Sequence, residues 1–194
     1  QGVGLLWYPG QVEKLPRKKG TLDDLMIKRQ FDTLFPMLGI PTCFQESQVN
    51  FLSGVNAKCC GREKLLQLLK KGLILDGESA LYLCEQGFGE YIGCTNTGEQ
   101  IRCPSAERLI GKKYHGEFSD NLLPTDWVRL EYESECIPLF QYNPRCEILS
   151  EYVDKEKQYL GDGIALYENQ LGGRVCIIPS YIGAWQFSRS EEHT

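Results

Sequence analysis

The chain has 194 residues, 42% hydrophobic and 24% charged, with 26 acidic and 21 basic side chains and a net charge of −5. That balance excludes a disordered chain, a collagen-like repeat and a coiled coil, and the length suffices for one or two domains that bury a core without disulfide staples. No stretch approaches the roughly 20 apolar residues that a membrane span needs.

Taken in chain order, Gly4-Leu5-Leu6-Trp7-Tyr8 reads as a short strand closed by Pro9-Gly10. Thr21 with Asp24 three residues on resembles a capping box, and Leu22, Leu25, Met26, Leu34, Phe35 and Leu38 follow near helical spacing. Pro36 kinks or ends that helix, and Gly39 stops it. Residues 40–44 and 49–53 read as extended segments. The spacing predicts a helix over 62–71, with Leu65, Leu66, Leu68 and Leu69 inward and Gly72 as its cap. Leu73-Ile74-Leu75 is a short apolar strand. A second helix over 77–86 buries Ala80, Leu81, Leu83 and Cys84 and stops at Gly87, and residues 91–94 read as a strand. Strands and helices alternating at these intervals imply βαβ units and a parallel sheet.

The pattern changes after Gly98, where helical periodicity largely disappears. Residues 127–135, 137–142, 146–152, 164–169 and 174–179 read as strands between Pro, Gly and Asn breaks, with Gly172-Gly173 as a hairpin turn. The expected organisation is an α/β region over 1–100, with a partial flavodoxin-like parallel sheet, followed by an antiparallel β-sandwich over 101–194. Charge follows the same division. Residues 1–98 carry 11 Lys/Arg and 10 Asp/Glu, whereas residues 99–194 carry 10 and 16. An acidic second half argues against a nucleic-acid surface. The one notable basic cluster, Arg17-Lys18-Lys19, reads as a solvated loop.

Nine cysteines at irregular spacing contain no C-x-x-C pair, so zinc-ribbon and redox motifs lack their signature. Several sit in apolar runs, as in Val175-Cys176-Ile177, which suits free buried thiols and a reducing, cytoplasmic compartment. The chain starts with Gln and not Met, so a fragment or processed chain is expected.

The segments Gly39-Ile40-Pro41, Leu52-Ser53-Gly54 and Leu65 through Gly72-Leu73-Ile74-Leu75-Asp76-Gly77 resemble the latter half of a class I glutamine amidotransferase-like domain. Such domains serve as non-catalytic trimerisation modules behind the barrel of some bacterial β-galactosidases and related glycoside hydrolases. The tail Tyr167-Glu168-Asn169-Gln170-Leu171-Gly172-Gly173-Arg174-Val175 resembles the small β-domain that often follows. The resemblance spans residues 30–100 and 145–180. An active amidotransferase places a Cys in a Gly-x-Cys-x-Gly turn from strand to helix. Here the matching turn reads Leu75-Asp76-Gly77-Glu78-Ser79-Ala80 and holds no Cys. No His-x-Glu pair follows within the resemblance, which therefore implies a domain without amidase chemistry.

Four residues stand out as candidates for a site. Asp76, Glu78 and Ser79 lie at a strand-end turn, where open α/β sheets bind ligands; capping of the following helix is the plainer reading. Cys60 precedes the helix at Arg62, where a helix N-terminus can activate a thiol. A Cys nucleophile still needs a base, and the histidines are His115, expected in a loop, and His193. Glu131, Glu133 and Glu135 alternate on one strand face, a possible Ca²⁺ row but more simply a solvated face. Gly87-Phe88-Gly89 lacks the dinucleotide pattern and context. Trp7, Trp127 and Trp185 could stack on sugars or pack in a core.

No catalytic residue, cofactor or metal is expected. The expected function is that of a non-catalytic accessory or oligomerisation region of a larger carbohydrate-active protein. Its partners would be other domains of that parent, a second copy or carbohydrate, with no nucleic acid and no membrane. The alternatives are a stand-alone carbohydrate-binding module and a small thiol or carboxylate hydrolase.

Overall fold

The computed structural model describes residues 2–6, 35–36, 39–102, 104–125 and 136–179. Apart from Phe35 and Pro36, the helix expected from Thr21 lies outside the described residues, as do the strand expected over 127–135, the Arg17-Lys18-Lys19 cluster, Glu131, Glu133, Glu135, His193 and the three tryptophans.

The fold mixes α and β. Strands β1 (Val3–Leu5), β2 (Thr42–Cys43) and β3 (Val49–Leu52) lead through a short helix α1 (Gly54–Ala57) and α2 (Arg62–Leu68) to β4 (Gly72–Asp76). Then follow α3 (Gly77–Glu85), a single turn α4 (Gly89–Ile92) and the long strand β5 (Cys94–Arg102). Next come β6 (Ala106–Leu109), α5 (Lys112–His115), a 3₁₀ turn at Gly116–Phe118 and β7 (Leu122–Pro124). Then come β8 (Cys136–Tyr142), β9 (Glu147–Ile148), β10 (Ser150–Val153), β11 (Tyr159–Asp162), β12 (Ala165–Glu168) and β13 (Arg174–Ile178).

Among the described residues, seven strands form the main sheet in the order β2-β1-β3-β4-β13-β12-β9. The pairs β1–β2, β1–β3, β3–β4 and β4–β13 are parallel, whereas β12 pairs antiparallel with both β13 and β9. Alternation along the strands sets the two faces. Leu52, Leu73, Leu75, Val175 and Ile177 point into the principal core with Leu65, Leu68 and Leu69 of α2 and Ala80 and Leu83 of α3. The intervening Phe51 and Ile74 join Val3, Leu5 and Phe35 in a smaller cluster. The expected βαβ unit is thus present as β3–α2–β4.

Beyond it the chain departs from simple alternation. After α3 it does not return to the main sheet until β9. The parallel neighbour of β4 on its other side is β13, paired from Arg174 opposite Gly72 to Ile178 opposite Asp76. Strands from both sides of residue 100 therefore build one sheet. Between these two neighbours run an antiparallel ribbon, β5–β8, and a four-stranded antiparallel sheet, β11-β10-β6-β7. Ile101, Ile137 and Leu139 of the ribbon pack on Tyr152 and Leu160 of that sheet.

Three local expectations change. Residues 91–94 are not a strand: α4 ends at Ile92, Gly93 turns with φ +78°, and β5 begins at Cys94. Tyr-Ile-Gly-Cys is too short to show a period, and the left-handed turn requires glycine. Gly72 does not cap α2. Leu69 does, and Gly72 opens β4 with its N–H on Gln48 O at 2.8 Å. Residues 146–152 split at Leu149 into β9 and β10, which belong to different sheets. The Gly172-Gly173 turn joins β12 to β13 as expected, with Gly172 at φ +81°.

Candidate functional site

The carboxyl ends of β3, β4 and β13 lie side by side, since Leu52 is paired with Leu75 and Ile178 with Asp76. Two helices start there. Ser53 is the N-cap position of α1, and Asp76 is that of α3. Asp76 serves both. Its Oδ1 accepts the Ser79 N–H at 2.7 Å, and its two carboxylate oxygens lie 3.1 and 3.2 Å from the Gly54 N. A carboxylate between two helix N-termini is favoured by the orphan N–H groups and the helix dipoles. Ser79 Oγ donates back to Asp76 O at 2.9 Å, and Asn56 Nδ2 donates to Ser53 Oγ at 2.9 Å. Ser53, Asn56, Asp76 and Ser79 are all buried.

Glu78, one turn position later, points outward and pairs with Lys58 at 2.7 Å across partly exposed surface. A Cβ on Gly54 would sit 2.4–2.6 Å from the Glu78 side chain, and one on Gly77 would sit 2.3 Å from Pro179 O. The three strand ends are packed against one another at these glycines, leaving no room there for larger side chains.

The three residues expected at the turn are therefore together, and each has a structural partner. Asp76 accepts the N–H groups of both Gly54 and Ser79, so its side chain is engaged in holding the two helix starts. Cys60 lies elsewhere, in the principal core just before the Gly61 cap of α2. Burial raises the thiol of its neighbour Cys59 above the ordinary range. His115, expected in a loop, is the last residue of α5, and its Nε2 lies 2.8 Å from Leu149 O.

Composition and spacing gave no signal for two further polar groups. Glu107 on β6 accepts from Ser150 Oγ on β10, and Ser150 Oγ in turn accepts the Ile164 N–H at 2.6 Å. Burial holds the Glu107 carboxyl above its usual range, and the Ser150 hydrogen bond and His115 partly oppose this. Cys84 and Cys94 bring their sulfurs within 3.8 Å of each other. Both groups form through contacts between elements, and local pattern cannot anticipate such contacts.

Among the described residues no group of three or more His, Cys, Asp or Glu is placed to hold a metal, and no helix is long and apolar enough to cross a membrane. No protein-family model matches the chain, and no curated protein matches it significantly.

Proposed function

We propose that this chain is a non-catalytic accessory and self-association region of a larger, cytoplasmic carbohydrate-active protein. It would be built on a degenerate amidotransferase-like part with a flavodoxin-like parallel sheet and a sandwich-like antiparallel part. One observation carries the reading. At the strand-to-helix turn where an amidotransferase keeps its nucleophile, this chain has Asp76-Gly77-Glu78-Ser79, and the Asp76 carboxylate is occupied in holding two helix N-termini. A turn used in this way supports architecture and not covalent chemistry. The mixed sheet with its helices beneath is the kind of scaffold such a module would present to a partner domain or a second copy.

Sedimentation velocity of the full chain over a wide concentration range tests the association, with reversible oligomers the expected result. A strict monomer at the highest concentration would remove the self-association role. Release of ammonia from glutamine, lost on Cys60→Ser, would replace the accessory reading with a thiol hydrolase.

A further inference from the structure

The C-terminal turn of α3 and the first residue of β5 hold Cys84 and Cys94 with their sulfurs 3.8 Å apart. Cys84 Sγ also lies 3.5 Å from Cys94 O, so the two residues meet through both side chain and backbone. Cys84 is half-buried, whereas Cys94 is 3% exposed and belongs to the principal core. Gly93 fixes the approach: its left-handed turn brings the backbone onto the Tyr167 ring, where a Cβ would lie 2.4 Å from the ring. A third thiol, Cys146, donates to Gly93 O at 3.2 Å and is thereby engaged on the backbone beside the pair.

We propose that Cys84 and Cys94 form a peroxide-sensitive dithiol that closes to an intramolecular disulfide, with Cys84 as the attacking and Cys94 as the resolving sulfur. The chemistry follows from the asymmetry of the two sites. The two sulfurs are in hydrogen-bond contact at 3.8 Å, a contact that lowers the half-buried Cys84 thiol, while the same contact and then burial raise the Cys94 thiol. The more accessible sulfur thus ionises first, and the thiolate is the nucleophile. Cys84 S⁻ attacks one oxygen of hydrogen peroxide, the O–O bond breaks, and the departing hydroxide takes a proton to become water. Cys84 is then a sulfenic acid. The Cys94 sulfur attacks it, the S–O bond breaks, and hydroxide leaves with the Cys94 proton as a second water. Two thiols and one peroxide give one disulfide and two waters.

Closing brings the sulfurs from 3.8 Å to the ordinary S–S bond of about 2.05 Å. Residues 85–93, which lie between the two cysteines, already form a turn and one helical turn. The product would tie the end of α3 to the start of β5, the point where the chain leaves the main sheet for the antiparallel ribbon.

The chain offers a direct assay. Cleavage after Lys71 and Arg102 releases residues 72–102 as one peptide that carries Cys84 and Cys94 and no other cysteine. In the reduced full-length protein this peptide should take two alkylating groups. After one equivalent of hydrogen peroxide it should take none and weigh two hydrogens less, until a reductant restores both sites. With Cys94→Ser, a dimedone adduct should accumulate on Cys84 and exceed that on the other cysteines. A peptide 72–102 that still takes two alkyl groups would overturn the proposal. So would a crosslink from it to the peptide bearing Cys146, or dimedone labelling of Cys84 no greater than that of Cys43.

Discussion

The Asp76 carboxylate satisfies backbone donors from two helix starts with one side chain. Removing it leaves the Ser79 and Gly54 N–H groups without that acceptor in a buried place. Loss of an N-cap and desolvation of a second donor together cost about 2–4 kcal/mol. Asp76→Ala should lower the unfolding free energy read from urea titration by that amount. Asp76→Asn, which keeps one acceptor oxygen, should cost about half as much. Equal stability of all three proteins would show that the carboxylate has no capping role. Glu107 makes a different case. Its carboxyl is held above the ordinary value of 4.5 by burial, so the folded state binds its proton more tightly than the unfolded state does. The stability it contributes is fully present below the unfolded pKa and is lost as pH rises through the raised folded pKa. Glu107→Gln keeps an acceptor for Ser150 and cannot ionise. Relative to the native protein, its melting temperature should therefore rise as pH increases from about 4 through the raised folded pKa. A constant difference across that range would exclude the effect. Glu46 runs the opposite way. Lys64 and Lys71 lower its carboxyl, so its contribution is present above the unfolded pKa and lost on acidification. That pair network lies on the surface and is screened, so its share is small.

At the scale of elements, the hairpin β12–β13 is fastened to α2 through one buried side chain. Asn169 Nδ2 donates to Leu69 O at 2.9 Å, while its Oδ1 accepts from Leu171 N at 2.9 Å and Gly173 N at 3.1 Å. The side chain therefore shapes the turn and also ties it to the end of the helix. Asn169→Ala should cost about 2–3 kcal/mol in urea unfolding, and it should speed hydrogen exchange at Leu171 and Gly173. Asn169→Asp retains the acceptor for the turn and loses the donor to Leu69. It should fall between the two, with exchange in the turn nearly unchanged. If Asp and Ala are equally damaging, the link to α2 and not the turn carries the whole effect. In the second sheet, Arg108 and Glu151 are direct cross-strand partners joined at 2.6 Å, which pins the register of β6 on β10 by charge as well as by pleat.

Across the whole molecule, the main sheet closes only when β13 arrives between β4 and β12. Leu73 and Leu75 then share one core with Val175 and Ile177. Without β13, β4 would be an edge strand with unpaired backbone and half of its buried face open. A chain ending at residue 163 lacks β12 and β13. It is expected to lose its cooperative unfolding transition and to show no dispersed core methyl signals. A sharp transition in that truncated chain would mean that residues 1–100 form a unit by themselves. The same contact explains why stability should be shared between the two halves. Mutations in the hairpin should weaken α2 and α3, because all of them bury side chains in that core.

Local rules were enough to find some of this architecture. The extended segment Val49 to Leu52, the helical spacing of Leu65, Leu68 and Leu69, the run at Leu73 to Leu75 and the turn at Gly172-Gly173 each encode an element within a few residues. The parallel pair β3–β4 and the hairpin β12–β13 follow from them. The turn at Asp76 was legible for a similar reason: a capping acid three residues before a serine N–H is a local pattern. Tertiary structure alone decided that β13 pairs with β4, because an apolar strand pattern does not name its neighbour. It also decided that Asp76 reaches Gly54 from another helix, that Tyr167 covers Gly93, and that Cys84 meets Cys94. These contacts depend on how separate elements pack, and periodicity is blind to packing.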